Sequence, residues 1–497
     1  MPKIRSRPRY KKALIPALII SFIIAVILII VFNKTFFQPV FEKQAMEKPE
    51  GLKNESEELW VSRYDGPIGG HDWGRALAVD EWGNIYVTGE SEDENTDRDV
   101  VTIKYNQEGD SIWVRRFNGP TNGYDWAAFL ALDESGNVYV AGGSEGKETD
   151  FDYLILKYNP SGELLWKNRY DGSGSSTDRV SALALDGWGN AYLTGESQGE
   201  NSGLDYATLK YDKNGEVIWI RRYNGPQNGH DYARGLAVDS EGNVYVTGYS
   251  HGGLTRSDYL TLKYNASGDL LWEGRFNTPE NSIDRANAIA VNSSGDVYVT
   301  GFSYGVKTDY DILTIKYSSS GKLLWEKEYN GPANGMDRAQ ALALDGSGNV
   351  CVTGQSEDPK TLCDFLTIKY NTSGDTLWIR RYEGPGNHND WDLANAIAID
   401  NFGSIYVTGE SQGTGTDLDY ATVKYSPSGD LLWVERYTQP SIDNAFALAL
   451  DDSGNVYVTG FSHGSETNSD YATVKYRQFM RGDASQDKNA DLTSEKH

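Results

Sequence analysis

An all-β fold, an eight-bladed β-propeller of four-stranded antiparallel blades, is predicted by three observations. Tryptophans recur at Trp60, Trp113, Trp166, Trp219, Trp272, Trp325, Trp378 and Trp433, spaced by 53 residues six times and then by 55. A Lys-Tyr ladder runs in step, ending at Tyr105, Tyr158, Tyr211, Tyr264, Tyr317, Tyr370, Tyr425 and Tyr476. Between the rungs, runs of β-branched and aromatic residues alternate with Gly/Asn/Asp/Ser turns, which is the hairpin pattern. Four strands per unit at this period make a propeller blade.

The elements follow in chain order. Residues 1–12 are basic, with six Lys/Arg between positions 2 and 12. Residues 13–32, ALIPALIISFIIAVILIIVF, are twenty residues without a charge. At about 1.5 Å rise per residue such a helix spans a hydrocarbon core of roughly 30 Å. The basic flank places the N-terminus in the cytoplasm and the body outside. The run exceeds the roughly 7–15 apolar residues of a cleaved signal, and NKTFFQPVF follows it, so an uncleaved single-pass anchor is expected. Residues 33–57 form a polar linker, 58–477 the propeller, and 478–497 a disordered tail.

One copy shows the plan of a blade. ARGLAVD is a first strand, SEG a turn, NVYVTGYS a second strand, DYLTLKY a third, NASG a turn and DLLWEGRF a fourth. The repeats open on a lone fourth strand, Leu59–Tyr64, and stop at Tyr476 after a third. The N-terminal strand therefore completes the last blade and closes the ring, leaving no open edge for aggregation.

The turn and second strand read DEWGNIYVTG at 80–89, DSEGNVYVTG at 239–248 and DDSGNVYVTG at 451–460. This module resembles the bacterial β-propeller repeat family with its D-x-x-G-N-x-Y-V-T-G core. The hairpin NASGDLLW at 265–272 also looks like the tryptophan motif of quinoprotein-type propellers. Both resemblances imply a fold much more than an activity, because propellers host many functions.

Charge narrows the partners. The formal net charge is −25, and residues 1–50 hold nine Lys/Arg against three Glu, so the rest carries −31. That field excludes nucleic acid and keeps a large particle soluble. Cys351 and Cys363 are the two cysteines. Hairpin register sets Cys351 near Ile368, so neither a disulfide between them nor a metal site is expected.

Three polar positions recur in every blade: an Asp before the first strand (Asp72 in blade one), a Ser ending the second (Ser91) and an Asp opening the third (Asp99). All lie on the face where the 4→1 and 2→3 loops emerge. As a site, this ring of carboxylates would take Ca²⁺, a hard cation wanting six to eight oxygens. As architecture, it satisfies loop N–H groups. Architecture is preferred, because a corner recurs eight times and a site does not, and no cofactor is expected. The Lys of the ladder, Lys104 and its equivalents, lies inside a covered strand and needs a carboxylate or carbonyl partner. The eight ladder tryptophans are packing residues.

Function is sought where the copies differ. Trp73 and Trp126 follow the first-strand Asp directly, and Trp391 lies close to that position within a two-residue insertion. Arg179, Arg285 and Arg338 stand there in blades three, five and six, and Tyr232 in blade four. One arc of the loop face is thus aromatic and the opposite arc basic, above an acidic ring. Aromatic platforms beside charges suit a sugar or a peptide. The six His form no H-E-x-x-H spacing, and no G-x-S-x-G or Walker loop occurs. The expected function is a membrane-anchored, extracytoplasmic, non-enzymatic binding or scaffold module, a monomeric ring for an envelope or extracellular protein or a glycan. The alternatives are a carbohydrate-active or quinone-cofactor enzyme on the same ring, and a structural cell-surface component.

Overall fold

The computed structural model describes residues 56–173, 176–253, 255–279, 281–305, 307–386, 391–464 and 468–478. The basic segment, the apolar run at 13–32, most of the linker and the tail lie outside them. Among the described residues no helix is long and apolar enough to cross a membrane.

Among the described residues, thirty-two strands, numbered β1 to β32 in chain order, form eight four-stranded sheets. In blade one these are β2 (Asp72–Val79), β3 (Ile85–Glu92), β4 (Arg98–Tyr105) and β5 (Ser111–Phe117), paired in sequence order. Blade eight differs. It holds β30 (Asp443–Leu450), β31 (Val456–His463), β32 (Ser469–Gln478) and, as its fourth strand, β1 (Ser56–Tyr64). β1 runs antiparallel to β32, with Trp60 opposite Lys475 and Tyr64 opposite Tyr471.

The repeated signature has a local cause. Asp80 Oδ1 accepts from the backbone N–H of Trp82 (3.0 Å) and of Asn84 (2.8 Å), while Oδ2 accepts from Asn84 Nδ2 (2.7 Å) and the Tyr86 hydroxyl (3.1 Å). Gly83 turns the chain at φ +75°, a region costly for other residues. Asp, Gly, Asn and Tyr are thus one hydrogen-bonded turn. Trp82 itself is 55% exposed, on the face opposite the 4→1 loops.

The ladder residues latch neighbouring blades. Trp113 Nε1 and Lys104 Nζ, both of blade one, donate to Pro160 O of blade two, at 3.1 and 3.3 Å. Lys157 repeats this with Lys213 O (3.1 Å) and adds an ion pair to Asp133 (3.3 Å). The buried lysines thus meet carbonyls and carboxylates as expected. Trp60 and Lys475 share Gln107 O and carry the latch across the seam between blades eight and one. Blade eight has no hairpin between its third and fourth strands, because the fourth comes from the other end of the chain. Trp433 Nε1, which would reach that hairpin, has no hydrogen-bond partner among the described residues. Lys424 turns to the Gln478 side chain instead.

Cys351 lies opposite Lys369, one residue from the register read in the sequence, and Cys363 lies opposite Glu357. Both cysteines are free and buried, and burial pushes each thiol up to about 12.

Candidate functional site on the loop face

The repeated Asp and Ser positions form a closed corner in each blade. Gly66 N–H donates to Asp72 Oδ2 (2.7 Å), and Asp72, Ser91 and Asp99 sit opposite one another across three strands. A guanidinium from the fourth strand completes the corner: Arg116 reaches Asp99 Oδ2 (3.0 Å), Ser91 O (3.0 Å) and Ser91 Oγ (2.6 Å). Arg63, Arg169, Arg222, Arg275, Arg381 and Arg436 pair likewise with Asp470, Asp152, Asp205, Asp258, Asp364 and Asp419. The carboxylates are buried, so the acidic ring expected beneath the loop face is internal, and in seven blades a guanidinium pairs with the third-strand Asp. Burial raises the carboxyls of Asp72, Asp337 and Asp443 to about 6, against hydrogen bonds that lower them. Blade five departs from the pattern, with Glu328 in the arginine's place. There burial raises the Asp311 carboxyl, against its hydrogen bonds with Thr308 and Glu328.

A second set of carboxylates was hidden in the variable position of T-G-x-S. Glu90, Glu196 and Glu410 are buried. Glu90 pairs with Arg75 (2.9 Å), and Glu196 lies 3.6 Å from Arg234. Glu410 accepts from the Asn444 amide, and burial raises its carboxyl to about 7.

The residue after the first-strand Asp packs on the preceding blade in at least three junctions. Trp73 of blade one lies against Phe461 of blade eight, with ring centroids 5.5 Å apart. Arg285 of blade five lies over Tyr249 of blade four (4.7 Å), and Arg338 of blade six over Phe302 of blade five (4.9 Å). Burial lowers the Arg338 guanidinium below its ordinary value, with Arg285 adding to the effect against Tyr310 and Asp309. Trp126 lies over Gly143, opposite it in the next strand, where a Cβ would meet the indole at 2.5 Å. Arg179 is exposed. Trp391 stands one residue before Asp392, in register with His71 rather than Trp73; Leu393 occupies the Trp73 position. The aromatic arc is therefore limited at this position to blades one and two and to Tyr232 in blade four. Trp391 is 46% exposed and forms a parallel bridge with Cys363.

Of the sequence-predicted residues, Tyr232 and Arg285 line one cleft. It has a volume of about 250 Å³ between blades four and five, and its other lining residues are His230, Tyr249, His251, Arg256, Ser257 and Ile283. Tyr232 stacks on Tyr249 with centroids 4.8 Å apart. His230 Nδ1 accepts from the Leu204 backbone N–H (3.1 Å), which leaves Nε2 to donate. Such a cleft offers flat aromatic walls, hydrogen-bond donors and guanidinium groups to a polar or anionic ligand.

Comparison with a family model agrees on the fold. Residues 62–95 and 218–255 match the family model described as Beta-propeller repeat, SBBP, so the chain carries that repeat. An uncharacterized WD repeat-containing protein of Acanthamoeba polyphaga mimivirus is 20% identical over 73% of this chain and 31% of its own length. The regulatory protein FlaEY of Caulobacter vibrioides is 29% identical over 25% of this chain and 13% of its own. The chain thus spans less than a third of either relative. Among solved structures, the WD40 domain of SCAP from fission yeast covers 85% of this chain and 98% of its own, at 10% identity and TM-score 0.45. A glucose dehydrogenase covers 60% and 95%, at 12% identity and TM-score 0.33.

Proposed function

We propose that the protein is a non-enzymatic binding or scaffold module whose partner, an envelope or extracellular protein or a glycan, docks on the loop face of the propeller. The observation that carries the reading is the division of labour between positions. Residues that recur in the blades are consumed by turns, corners and latches, whereas the residues after the first-strand Asp change from blade to blade. Among the described residues, the cleft between blades four and five is a place on that face where two of these departures, Tyr232 and Arg285, come together. The propeller is held at the membrane by the apolar run at 13–32, with the basic segment in the cytoplasm and the ring outside.

Two experiments test the reading. Affinity capture from the native envelope should retain a partner on the protein, and the Tyr232→Ala/Arg285→Gln variant should lose it. Equal capture by both would refute docking at the cleft. For the anchor, the protein should stay in the membrane pellet after alkaline extraction and its body should be open to protease from outside. Release into the supernatant would refute the tether.

A further inference from the structure

We propose that the cleft between blades four and five binds a carboxylated sugar. The proposal rests on the loop face being the binding surface and specifies its ligand. The first argument is a comparison of equivalent positions. At the seam between blades eight and one, Ser469 Oγ lies 2.8 Å from His71 Nδ1 and receives Trp73 Nε1 at 2.7 Å. Its counterpart between blades four and five is Ser257, which bridges Ile283 as Ser469 bridges His71. There Ile283 replaces the imidazole and Arg285 the indole. Ser257 is 4% exposed, and its Oγ has no hydrogen-bond partner among the described residues. A buried hydroxyl left unpaired keeps its full desolvation penalty, so a ligand hydroxyl reaching it gains a partner that the described residues do not supply.

The second argument is charge. Neither Arg285 nor Arg256 makes an ion pair among the described residues, and Arg285 Nε is a buried donor without a partner. The neighbouring corner arginine, Arg275, is by contrast paired to Asp258 at 3.0 Å. In a chain of net charge −25, two arginines without carboxylates in one cleft mark a place for an anion. The Arg285 guanidinium lies over Tyr249, which orients its plane and leaves its edge donors for a planar, two-oxygen acceptor.

The third argument is size and wall. A volume of about 250 Å³ falls below the roughly 300–1,000 Å³ that encloses drug-sized ligands, which suits one sugar ring rather than a peptide segment. Tyr232 supplies an aromatic wall, and His230, His251 and Ser257 supply partners for ring hydroxyls. A bare inorganic anion would use the arginines and leave these groups idle.

Calorimetry and saturation-transfer NMR on the full-length protein, with glucuronate, glucose and inorganic phosphate as probes, test the proposal. Glucuronate should bind at least ~10-fold more tightly than glucose, which lacks the charge-assisted pair to the arginines, and more tightly than phosphate, which leaves the aromatic wall and the hydroxyl partners unused. Arg285→Gln should weaken glucuronate by about 10- to 100-fold at unchanged melting temperature. Ser257→Ala should weaken it a few-fold and leave the protein at least as stable. Equal binding of glucose would overturn recognition of the carboxylate, and equal binding of phosphate would overturn the sugar. Unchanged affinity in Arg285→Gln would overturn the site. If partner capture depends on the cleft but glucuronate fails to bind, the ligand class is wrong and the docking face stands.

Discussion

The seam between blades eight and one and the junction between blades four and five place equivalent residues in the same register, and differ in what fills them. At the seam, Trp73 is held by Phe461, by the Ser469 hydroxyl and by Arg75 and Arg98, each 4.7 Å from its ring. Arg75 is in turn paired to Glu90. At the other junction, Arg285 covers Tyr249, Ser257 Oγ is unpaired and a cleft remains. The seam must hold together two ends of the chain, and there the Ser469 hydroxyl meets both His71 and Trp73. Both junctions have a 4→1 loop, but all strands of blades four and five are consecutive in the chain, and their junction can leave donors unspent.

The largest way to break this comparison is to remove the strand that makes the seam. A chain starting after Tyr64 lacks β1, and with it the Arg63 contacts to Asp470 and Ser462. It should lose cooperative thermal unfolding and aggregate through the exposed edge of β32, whereas a chain starting near Gly51 should fold. A sharp, unaltered melting transition without β1 would mean that closure contributes little.

Corner residues come next. Arg116→Ala leaves the buried Asp99 carboxylate unpaired and should destabilise by about 2–4 kcal/mol in chemical denaturation. A loss comparable to that of an exposed arginine would remove the corner from the frame.

The buried glutamates offer a third contrast, between paired Glu90 and Glu410, which has an amide partner but no ion pair among the described residues. Burial raises the Glu410 carboxyl from an ordinary 4.5 to about 7, so folding favours its protonated form. The group destabilises fully above pH 7, the penalty fades as pH falls from 7 to 4.5, and it is absent below. Glu410→Gln should therefore be more stable than the parent at pH 8, on the order of 3 kcal/mol, and no more stable at pH 4. A difference independent of pH would refute this.

The smallest effect on stability comes from converting one junction into the other. Ile283→His with Arg285→Trp recreates the seam's pair opposite Ser257 and should shift the melting temperature by only a few degrees. It should also abolish ligand binding at the cleft. Retained binding would detach the cleft from function.

Most of the frame was legible because it is periodic. The Trp and Lys-Tyr ladders, the hairpin turns and the closing strand follow from local chemistry repeated in each blade, and each recurs in the structure. The corner arginine stands in the sequence at Arg63, Arg116 and Arg169, but its ladder breaks at Glu328, so periodicity alone does not mark it. The sequence sets Trp391 near Trp73 because the insertion falls inside the loop. Gly384 reaches Asp392 across eight residues, where Gly66 reaches Asp72 across six, and the tryptophan lies just before the Asp. The cleft was legible only in part. Tyr232 and Arg285 stood out as departures, but the unpaired Ser257 follows from residues of the next blade, which periodicity within one repeat does not pair. Glu90, Glu196 and Glu410 sat in a variable position whose burial depends on neighbouring blades.

The central claim is that repeated positions hold the ring and departures on the loop face bind. The most direct test compares Arg116→Ala with Arg285→Gln in one experiment, reading melting temperature and glucuronate affinity on the full-length protein. The account predicts a double dissociation: Arg116→Ala melts several degrees lower and, at a temperature where it is folded, binds as the parent does. Arg285→Gln melts as the parent does and loses about 10- to 100-fold in affinity. The contradicting result is the reverse or a merger, in which Arg285→Gln destabilises the ring as much as Arg116→Ala while leaving the affinity unchanged.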